Sequence, residues 1–395
     1  MTKSFFSCCS VFAFLLLLAA CQEPFDQDEP EYGENGMGRP TPVEEVDPPI
    51  SEPIVAPNAR IDDGRHVTAF VTYYGSLIPD PTVLTHINYA YAELYMVDGI
   101  YQKFDLQGSK TRFQNIVNLK KNYPNLKICL SFTHGVANAN NKQGGSFSAL
   151  VKSDENMQRF AEDCVAFMEE WGIDGINIDW EFPGLSWSGA ACDVSCDTEN
   201  YVKLMKKLRE TFGDQYELSY VGYCFDKQTV TGGYRYMDVK EMDKYVDYVD
   251  IMAYDMDEAP HHHSALSDTR SNRDCDRAVK VYLNAGVRPN KLVLGIPFFA
   301  RHSFSTSPTA MSYKSILNMD AKKFRRNKWD STANCPYVET MQGVFYCGYD
   351  NPKSIAVKGE WVRQKGMLGM YYWEYDQDDT RGTLRTAVWN AVMTK

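Results

Sequence analysis

The chain has 395 residues, of which 24% are charged and 44% hydrophobic, and a formal net charge of −11 at pH 7. This length accommodates one large α/β barrel or two to three ordinary domains, and does not decide between them. Because the balance is acidic and no basic stripe is present, nucleic acid is excluded as an expected partner.

The first twenty residues predict a signal peptide. Lys3 precedes an apolar run at residues 11–20, VFAFLLLLAA, which is too short to span a bilayer. The run leads into LAAC, which resembles the lipobox of bacterial lipoproteins and implies that Cys21 becomes the lipidated first residue. An ordinary secretory signal with an incidental cysteine is the alternative. We therefore expect a lipoprotein anchored to a membrane outside the cytoplasm.

Residues 21–60 predict a tether between this anchor and the folded part. They are rich in Pro, Asp and Glu and carry most of the net negative charge, so we expect an extended, solvated segment. Within it, DQDE at residues 26–29 resembles the export signal of some Gram-negative lipoproteins. That resemblance implies the outer membrane, with the cell surface as a further option.

From residue 61 to 395, short β-rich runs alternate with amphipathic helical patterns. The pattern predicts strands at residues 67–72, 86–92, 127–132, 175–180, 217–222, 248–253, 292–297 and 367–372. It predicts helices at residues 154–171, 200–212, 274–285 and 352–365. This alternation predicts an α/β fold, a closed (β/α)8 TIM barrel, with a doubly wound open sheet as the alternative.

An unusually long connection separates the seventh predicted strand from the eighth. Residues 302–350 contain their own Tyr and Phe residues and predict a small inserted lobe. Sequence proximity favours two disulfides in loops, Cys192 with Cys196 and Cys335 with Cys347, although spacing alone leaves the connectivity open.

The most informative segment reads DGINIDWE at residues 174–181, called here the signature segment. Side chains alternate along a strand, so Asn177, Asp179 and Glu181 share one face. Burying such groups without partners costs several kcal/mol each. We therefore expect them to be charged, paired or engaged in proton chemistry near the end of the fourth barrel strand. A buried ion-pair cluster is the alternative.

Other strand ends also carry polar and aromatic residues. Met252, Tyr254 and Asp255 end the sixth strand, Arg301 follows the seventh, and Trp373 follows the eighth. Aromatic faces stack on sugar rings, while carboxylates, hydroxyls and guanidinium groups bind sugar hydroxyls and amides. The set predicts a carbohydrate site at the carboxyl-terminal mouth of the barrel.

Several segments together resemble glycoside hydrolase family 18, which comprises chitinases and endo-β-N-acetylglucosaminidases. The signature segment resembles the family pattern Asp-x-x-Asp-x-Asp-x-Glu. The other matching segments are THINYAYA at residues 85–92, MAYD at 252–255, KLVLGIP at 291–297 and WEYDQDD at 373–379. Their order and number make this resemblance more specific than any single short motif.

The resemblance implies retaining hydrolysis of N-acetylglucosamine glycans in which the acetamido oxygen of the substrate is the nucleophile. It implies that Glu181 is the general acid and base and that Asp179 orients the acetamido group. Tyr254 would bond the acetyl carbonyl, and Trp373 would form the floor of the subsite. The further positions that match this subsite are Asp255, Met252, Arg301, Tyr73 and Tyr91. No cofactor is implied.

Asn177 departs from the family pattern, which has aspartate at this position. We expect its amide still to donate to Asp179, and Asn177→Asp to raise the rate or move the pH optimum. His261, His262 and His263 follow the sixth strand, but consecutive histidines point apart, so we expect a loop over the cleft and no metal site.

Three functions remain open from the sequence. The first is a chitinase-like enzyme on β-1,4-linked N-acetylglucosamine, in chitin or chito-oligosaccharides. The second is an endo-β-N-acetylglucosaminidase that cuts the chitobiose core of N-glycans. The third is a catalytically weak, glycan-binding lipoprotein, which Asn177 favours and Glu181 disfavours. The glycan is the expected partner in each case, and we expect a monomer.

Overall fold

The computed structural model describes residues 64–133, 146–185, 192–224, 228–230, 233–235, 237–268 and 270–393. The predicted signal peptide, the tether and the lipidation site at Cys21 lie outside these residues. Within the described ranges, none of the helices combines the length and the apolar character needed to cross a membrane.

The strands and helices alternate along the chain as the pattern predicted. The strands are β1 (His66–Thr72), β2 (His86–Val97), β3 (Ile100–Leu106), β4 (Lys127–Thr133), β5 (Gly175–Asp179), β6 (Glu217–Gly222), β7 (Gln228–Val230), β8 (Gly233–Arg235), β9 (Tyr248–Ile251), β10 (Leu292–Pro297), β11 (Phe299–Arg301), β12 (Ala310–Ser312), β13 (Phe324–Asp330), β14 (Cys335–Thr340), β15 (Phe345–Gly348) and β16 (Gly369–Trp373). The helices are α1 (Lys110–Val117), α2 (Phe147–Leu150), α3 (Asp154–Trp171), α4 (Asp197–Phe212), α5 (Val239–Met242), α6 (Cys275–Ala285), α7 (Tyr313–Leu317), α8 (Pro352–Gln364) and α9 (Thr383–Met393). Short 3₁₀ helices cover Pro81–Val83, Asn118–Lys121, Pro289–Lys291 and Tyr375–Gln377.

Eight parallel strands close into a barrel, in the order β1, β2, β4, β5, β6, β9, β10 and β16. The pairing of β16 with β1 closes the ring. The predicted (β/α)8 barrel is therefore confirmed, and the open-sheet alternative is wrong. In this fold the carboxyl-terminal ends of all eight strands open onto one mouth, where the connecting loops form the site.

Three sheet features of the described residues depart from a plain barrel, and the smallest is a separate antiparallel pair of β7 and β8. β2 continues beyond the barrel and turns back through β3 as an antiparallel hairpin, which the sequence pattern did not predict. Between β10 and β16, the strands β11 to β15 form a separate five-stranded antiparallel sheet in the order β12, β11, β15, β14 and β13. This second sheet begins directly after β10, so it stands beside the mouth of the barrel.

Helix α3 shows how local sequence sets these elements. Ser153 accepts a hydrogen bond from the backbone of Asn156 at the amino end, and Gly172 ends the helix with a left-handed φ of 65°. The buried residues recur at the helical spacing, at Met157, Phe160, Ala161, Cys164 and Met168. The helix therefore buries one face against the barrel, and its predicted bounds are confirmed.

The lumen of the barrel is filled by alternate side chains of each strand. Gly295 on β10 faces this lumen, where a Cβ atom would lie 2.7 Å from the hydroxyl of Tyr371. The missing side chain leaves room for the ring of Tyr371, whose hydroxyl donates to that of Tyr254 over 3.1 Å. A glycine deep in the barrel thus positions an aromatic residue at its mouth.

The cysteines within the described residues are all reduced. The favoured pairing of Cys335 with Cys347 is wrong because the strand register separates them: Cys347 lies opposite Val338, and Cys335 lies opposite Asp330. Cys192 and Cys196 are also unpaired.

Candidate active site

The two carboxylic acids of the signature segment lie together at the mouth of the barrel. Asp179 is the last residue of β5, and Glu181 follows it by two residues. Their side chains hydrogen-bond each other. On its other side, Asp179 accepts a hydrogen bond at Oδ2 from the hydroxyl of Tyr91 over 2.7 Å. The signature segment therefore presents a hydrogen-bonded carboxyl pair.

Tyr91 reaches this pair because of a bulge in β2. Ala90 is paired with Ser131 of β4 and Ala92 with Phe132, so Tyr91 is the extra residue between them. A bulge redirects the side chain of its extra residue. The ring of Tyr91 is thereby aimed at the carboxyl pair rather than fixed by simple alternation.

Protonation divides the roles within the pair. Burial raises the pKa of Glu181 well above its ordinary value, and the neighbouring charges of Asp179 and then Asp255 raise it further. Burial also raises the pKa of Asp179, but hydrogen bonds from Tyr91 and Glu181 oppose that shift. Since the two groups share one site, they titrate as a pair. Glu181 keeps the proton, and Asp179 carries the negative charge.

Asn177 is buried in the lumen, two residues before Asp179 on β5. Its side-chain amide hydrogen-bonds to residues other than Asp179. Its Oδ1 accepts from the hydroxyl of Ser131 over 2.8 Å. Its Nδ2 donates to the hydroxyl of Ser219 over 2.8 Å and to Oδ2 of Asp250 over 3.2 Å. The expectation that Asn177 donates to Asp179 is therefore wrong, because both amide hydrogens already have acceptors.

Asp250 on β9 is a member of this network that the sequence reasoning missed. It is fully buried, and its Oδ2 also accepts from the amide of Asn88 over 3.0 Å. Burial raises its pKa well above the ordinary value; the amide of Asn88 opposes that shift, and the charges of Asp179 and Glu217 add to it. Burial therefore favours the neutral form of Asp250 beside Asn177. Its only sequence signal is its position between Tyr248 and Met252 on the lumen-facing side of β9.

A pocket lined by aromatic residues surrounds the carboxyl pair. Trp373 ends β16, and its ring lies nearly parallel to that of Tyr91, with 6.0 Å between the ring centroids. Phe70 packs beneath Trp373 at 5.7 Å, and Met252 packs against the same cluster. The partly exposed face of Trp373 gives a sugar ring an apolar surface on which to stack.

Tyr254 contributes a polar group to the wall of this pocket. It is 9% exposed, and burial raises its pKa well above the ordinary value, so its hydroxyl is protonated. The hydroxyl accepts from Tyr371, which leaves its own hydrogen available to a ligand. Its ring also packs edge-on against Phe299 of β11.

Asp255 and Arg301 form a salt bridge beside the pair. Nε of Arg301 donates to Oδ1 of Asp255 over 2.8 Å, and Nη2 donates to Oδ2 over 2.7 Å. Burial alone would raise the pKa of Asp255, but the adjacent guanidinium of Arg301 holds it below its ordinary value. Asp255 is therefore a fixed negative charge, and its field raises the pKa of Glu181.

The remaining predicted residues lie at the edge of the site or behind it. Tyr73 follows β1 at the rim, where its ring packs edge-on against Tyr74. His262 and His263 are buried rather than placed over the cleft, and they point apart, towards Asp330 and Asp255 respectively. In the described part of the chain, no cluster of His, Cys, Asp and Glu is suited to hold a metal ion.

Glu374 is a further buried carboxyl group next to Trp373. It accepts from the backbone of Asp376 over 3.0 Å and from the hydroxyl of Thr72 over 3.4 Å. Burial raises its pKa to about 7. Glu374 therefore anchors the chain directly after the Trp373 platform.

A closed barrel that holds a hydrogen-bonded acid pair beside a tryptophan at its carboxyl-terminal mouth has the parts that a glycoside hydrolase requires, an acid and a surface on which a sugar can stack. The sequence matches the family model of glycosyl hydrolases family 18 over residues 65–378. The chain therefore belongs to glycosyl hydrolase family 18.

Known proteins similar to this chain are chitinases. Chitinase 63 of Streptomyces plicatus is 29% identical over 334 residues, which cover 76% of this chain and 50% of that protein. An endochitinase of Manduca sexta is 25% identical over 351 residues, which cover 75% of this chain and 59% of that protein. The chain thus spans only about half of the length of these two relatives.

Solved structures share the fold at lower sequence identity. The class V chitinase of Nicotiana tobaccum superposes with a TM-score of 0.70 at 19% identity, over 84% of this chain and 100% of that one. Chitinase ChiA74 of Bacillus thuringiensis gives a TM-score of 0.69 at 21% identity, over 83% of this chain and 70% of that one.

Proposed function

We propose that the protein hydrolyses β-1,4-linked N-acetylglucosamine, in chitin or chito-oligosaccharides, by a retaining and substrate-assisted mechanism. The observation that carries the proposal is the direct hydrogen bond between Asp179 and Glu181. The chitinases similar to this chain support the choice of substrate.

The separation of the two carboxyl groups argues against the common two-carboxylate mechanisms. An inverting enzyme needs about 6.5–9.5 Å between its carboxyl groups to admit water, and a retaining enzyme with its own nucleophile needs about 5–5.5 Å. Carboxyl groups that hydrogen-bond directly lie roughly 3 Å apart. Asp179 is therefore too close to Glu181 to attack the opposite face of the sugar, and a nucleophile from the substrate fits better.

The proposed first step uses the protonation of the pair. Glu181 gives its proton to the glycosidic oxygen as the bond from that oxygen to the anomeric carbon breaks. The acetamido carbonyl oxygen of the same sugar attacks the anomeric carbon and forms an oxazolinium ion. Asp179, ionised and held by Tyr91, orients the acetamido N–H and stabilises the positive charge. Tyr254 donates its hydroxyl hydrogen to the acetamido oxygen.

The second step returns the site to its starting state. The carboxylate of Glu181 takes a proton from a water molecule, whose oxygen bonds to the anomeric carbon as the oxazolinium ring opens. Glu181 is then protonated again, and the configuration at the anomeric carbon is retained. Such positioned acid–base chemistry works best when the acid has a pKa near the working pH, and the surroundings of Glu181 raise its pKa in that direction.

Product analysis tests the substrate. The protein is incubated with chitin oligosaccharides and, separately, with an N-glycosylated protein, and the Glu181→Gln variant is treated in parallel. Mass spectrometry then identifies the products. We expect shortened chitin oligomers from the unmodified protein only. Glycans released with one N-acetylglucosamine left on the protein would instead identify an endo-β-N-acetylglucosaminidase. Binding without cleavage of either substrate would identify a glycan-binding protein.

We further propose that Cys21 carries a lipid that anchors the enzyme to a membrane outside the cytoplasm. The support is the LAAC sequence after a short apolar run and the acidic tether that follows it. Expression in a Gram-negative host with a radiolabelled fatty acid should label the full chain, and Cys21→Ser should abolish the label. Labelling that survives Cys21→Ser would contradict this anchor.

A further inference from the structure

His263 is a buried residue that packs behind the Asp255–Arg301 salt bridge. It is 1% exposed, and its ring lies 5.2 Å from that of Phe299 on β11. Its backbone carbonyl accepts from the backbone of Met256 over 3.1 Å. His263 is therefore fixed by packing and by its own backbone against the turn that carries Asp255.

The ring of His263 faces two different atoms of Asp255. Its Nδ1 lies 3.3 Å from the backbone nitrogen of Asp255 and 3.3 Å from Oδ1 of the same residue. When the neutral ring carries its hydrogen on Nε2, Nδ1 has a lone pair and accepts from the backbone N–H, whereas an Nδ1 that carries a hydrogen donates to the carboxylate. One nitrogen cannot do both, so protonation of the ring exchanges one contact for the other.

The backbone contact matters because Asp255 has an unfavourable conformation. Its φ of 52° lies in the left-handed region, which is unfavourable for a residue with a side chain. Surrounding contacts must hold such a residue in place. Arg301 holds the carboxylate of Asp255, and Nδ1 of His263 lies within hydrogen-bonding distance of its backbone nitrogen.

We propose that His263 is a positioning residue, whose neutral Nδ1 holds the backbone of Asp255 against Arg301, and that protonation of His263 releases this contact and limits the reaction at acid pH. The link to catalysis rests on the function proposed above, since Asp255 acts on the pKa of Glu181. None of the mechanism's steps requires His263 itself to contact the substrate.

The surroundings of His263 favour its neutral form. The ionisable groups that face it are Asp255 on its own loop, Arg301 of β11 and Asp350 after β15, and Asp350 is itself paired with Lys358 of α8 over 2.7 Å. Burial lowers the pKa of His263, Asp255 opposes this, and the net shift is downwards. The ring is thus neutral at pH 7 and becomes protonated only in more acidic solution.

Two substitutions of His263 distinguish its role as a hydrogen-bond acceptor from the effect of its protonation. Asparagine can place an amide oxygen near the position of Nδ1 and still accept from Asp255, but it does not titrate. We expect His263→Leu to lower kcat/KM at pH 7 about tenfold, as for one lost hydrogen bond. His263→Asn should lose less than His263→Leu, and its acid limb should extend to lower pH than that of the unmodified enzyme.

The matched control is His262→Asn, because His262 is equally buried but faces Asp330. We expect its acid limb to match that of the unmodified enzyme. Thermal melts of all variants at pH 5 and 7 exclude unfolding as the cause of any lost activity. An acid limb for His263→Asn that coincides with the unmodified one would overturn the proposal.

A measurement without substrate keeps this inference separate from the proposed function. Nuclear magnetic resonance of the free protein follows the imidazole nitrogens of His263 and the backbone amide of Asp255 as the pH falls. We expect Nδ1 to be unprotonated at pH 7 and the Asp255 amide signal to shift with the His263 titration. A proton on Nδ1 at pH 7, or an amide that does not follow the titration, would overturn the proposal even if no glycan is cleaved.

Discussion

Replacing Glu181 with glutamine should lower kcat on chitin oligosaccharides by about 100- to 10,000-fold, the range that positioned acid–base catalysis contributes. The amide is nearly isosteric with the neutral acid but cannot give up a proton to the leaving oxygen. Because Asp179, Tyr254 and Trp373 remain in place, we expect KM to change much less than kcat. Initial rates with a fluorogenic chitobioside, together with binding of an uncleaved oligosaccharide, measure both quantities.

The pH profile gives the same prediction a second test. The reaction needs Asp179 ionised and Glu181 protonated, so Asp179 contributes to the acid limb together with His263, and Glu181 sets the alkaline limb. Since the pKa of Glu181 is raised, the alkaline limb should lie well above the ordinary range of a glutamate. The residual activity of Glu181→Gln should have no alkaline limb.

Glu217→Gln is the matched control for this substitution. Glu217 begins β6 at the opposite end of the lumen, where its carboxylate faces His86 at 3.3 Å. We expect its kcat to stay within a fewfold of the unmodified value. A Glu181→Gln enzyme that is as active as this control would remove Glu181 from the proposed chemistry.

Asn177→Asp should move the whole pH profile to higher pH, by about one unit. The new carboxyl group would touch Asp250, which Asn177 now contacts over 3.2 Å. Two buried carboxyl groups in contact share one proton. The lumen therefore gains one negative charge below Asp179, which raises the pKa of both Asp179 and Glu181. Activity against pH measures the shift, and an unchanged profile in a folded variant would contradict it.

Stability should change with pH in the same variant. Burial raises the folded-state pKa of the added carboxyl group above its unfolded value of about 4, so folding of the variant takes up one proton more than folding of the unmodified protein. The contribution of such a group to the free energy of unfolding falls as the pH rises from its unfolded-state pKa towards its folded-state pKa. The melting temperature of Asn177→Asp relative to the unmodified protein should therefore fall between pH 4 and 7. Adding Asp250→Asn removes the carboxyl contact and should recover part of that loss.

The sequence predicted most of the fold because the relevant signals are local. Strands and helices differ in the spacing of their apolar residues, and α3 also carries its own capping residues. The hairpin of β2 and β3 was missed because β2 continues past the end of the barrel strand. The disulfide pairing was wrong because proximity in sequence is not proximity in a sheet, where register decides which side chains meet.

The site, like the fold, has features that follow from local sequence and features that do not. The two-residue spacing of Asn177, Asp179 and Glu181 already put them on one face of one strand. The partners of Asn177 could not be derived, since Asp250 comes from β9 and Asn88 from β2, far away in sequence. Strand tilt in a closed barrel decides which lumen residues meet, and tilt is a property of the whole ring.

The sequence by itself thus determined the family, the barrel and the carboxyl pair, because each is encoded in residues close together along the chain. Only the tertiary structure decided that the amide of Asn177 donates to Asp250 rather than to Asp179, and that His263 packs behind Asp255. These contacts join side chains from separate strands and loops. Their geometry follows from barrel closure and from the packing of the second sheet beside the mouth, neither of which any single segment specifies.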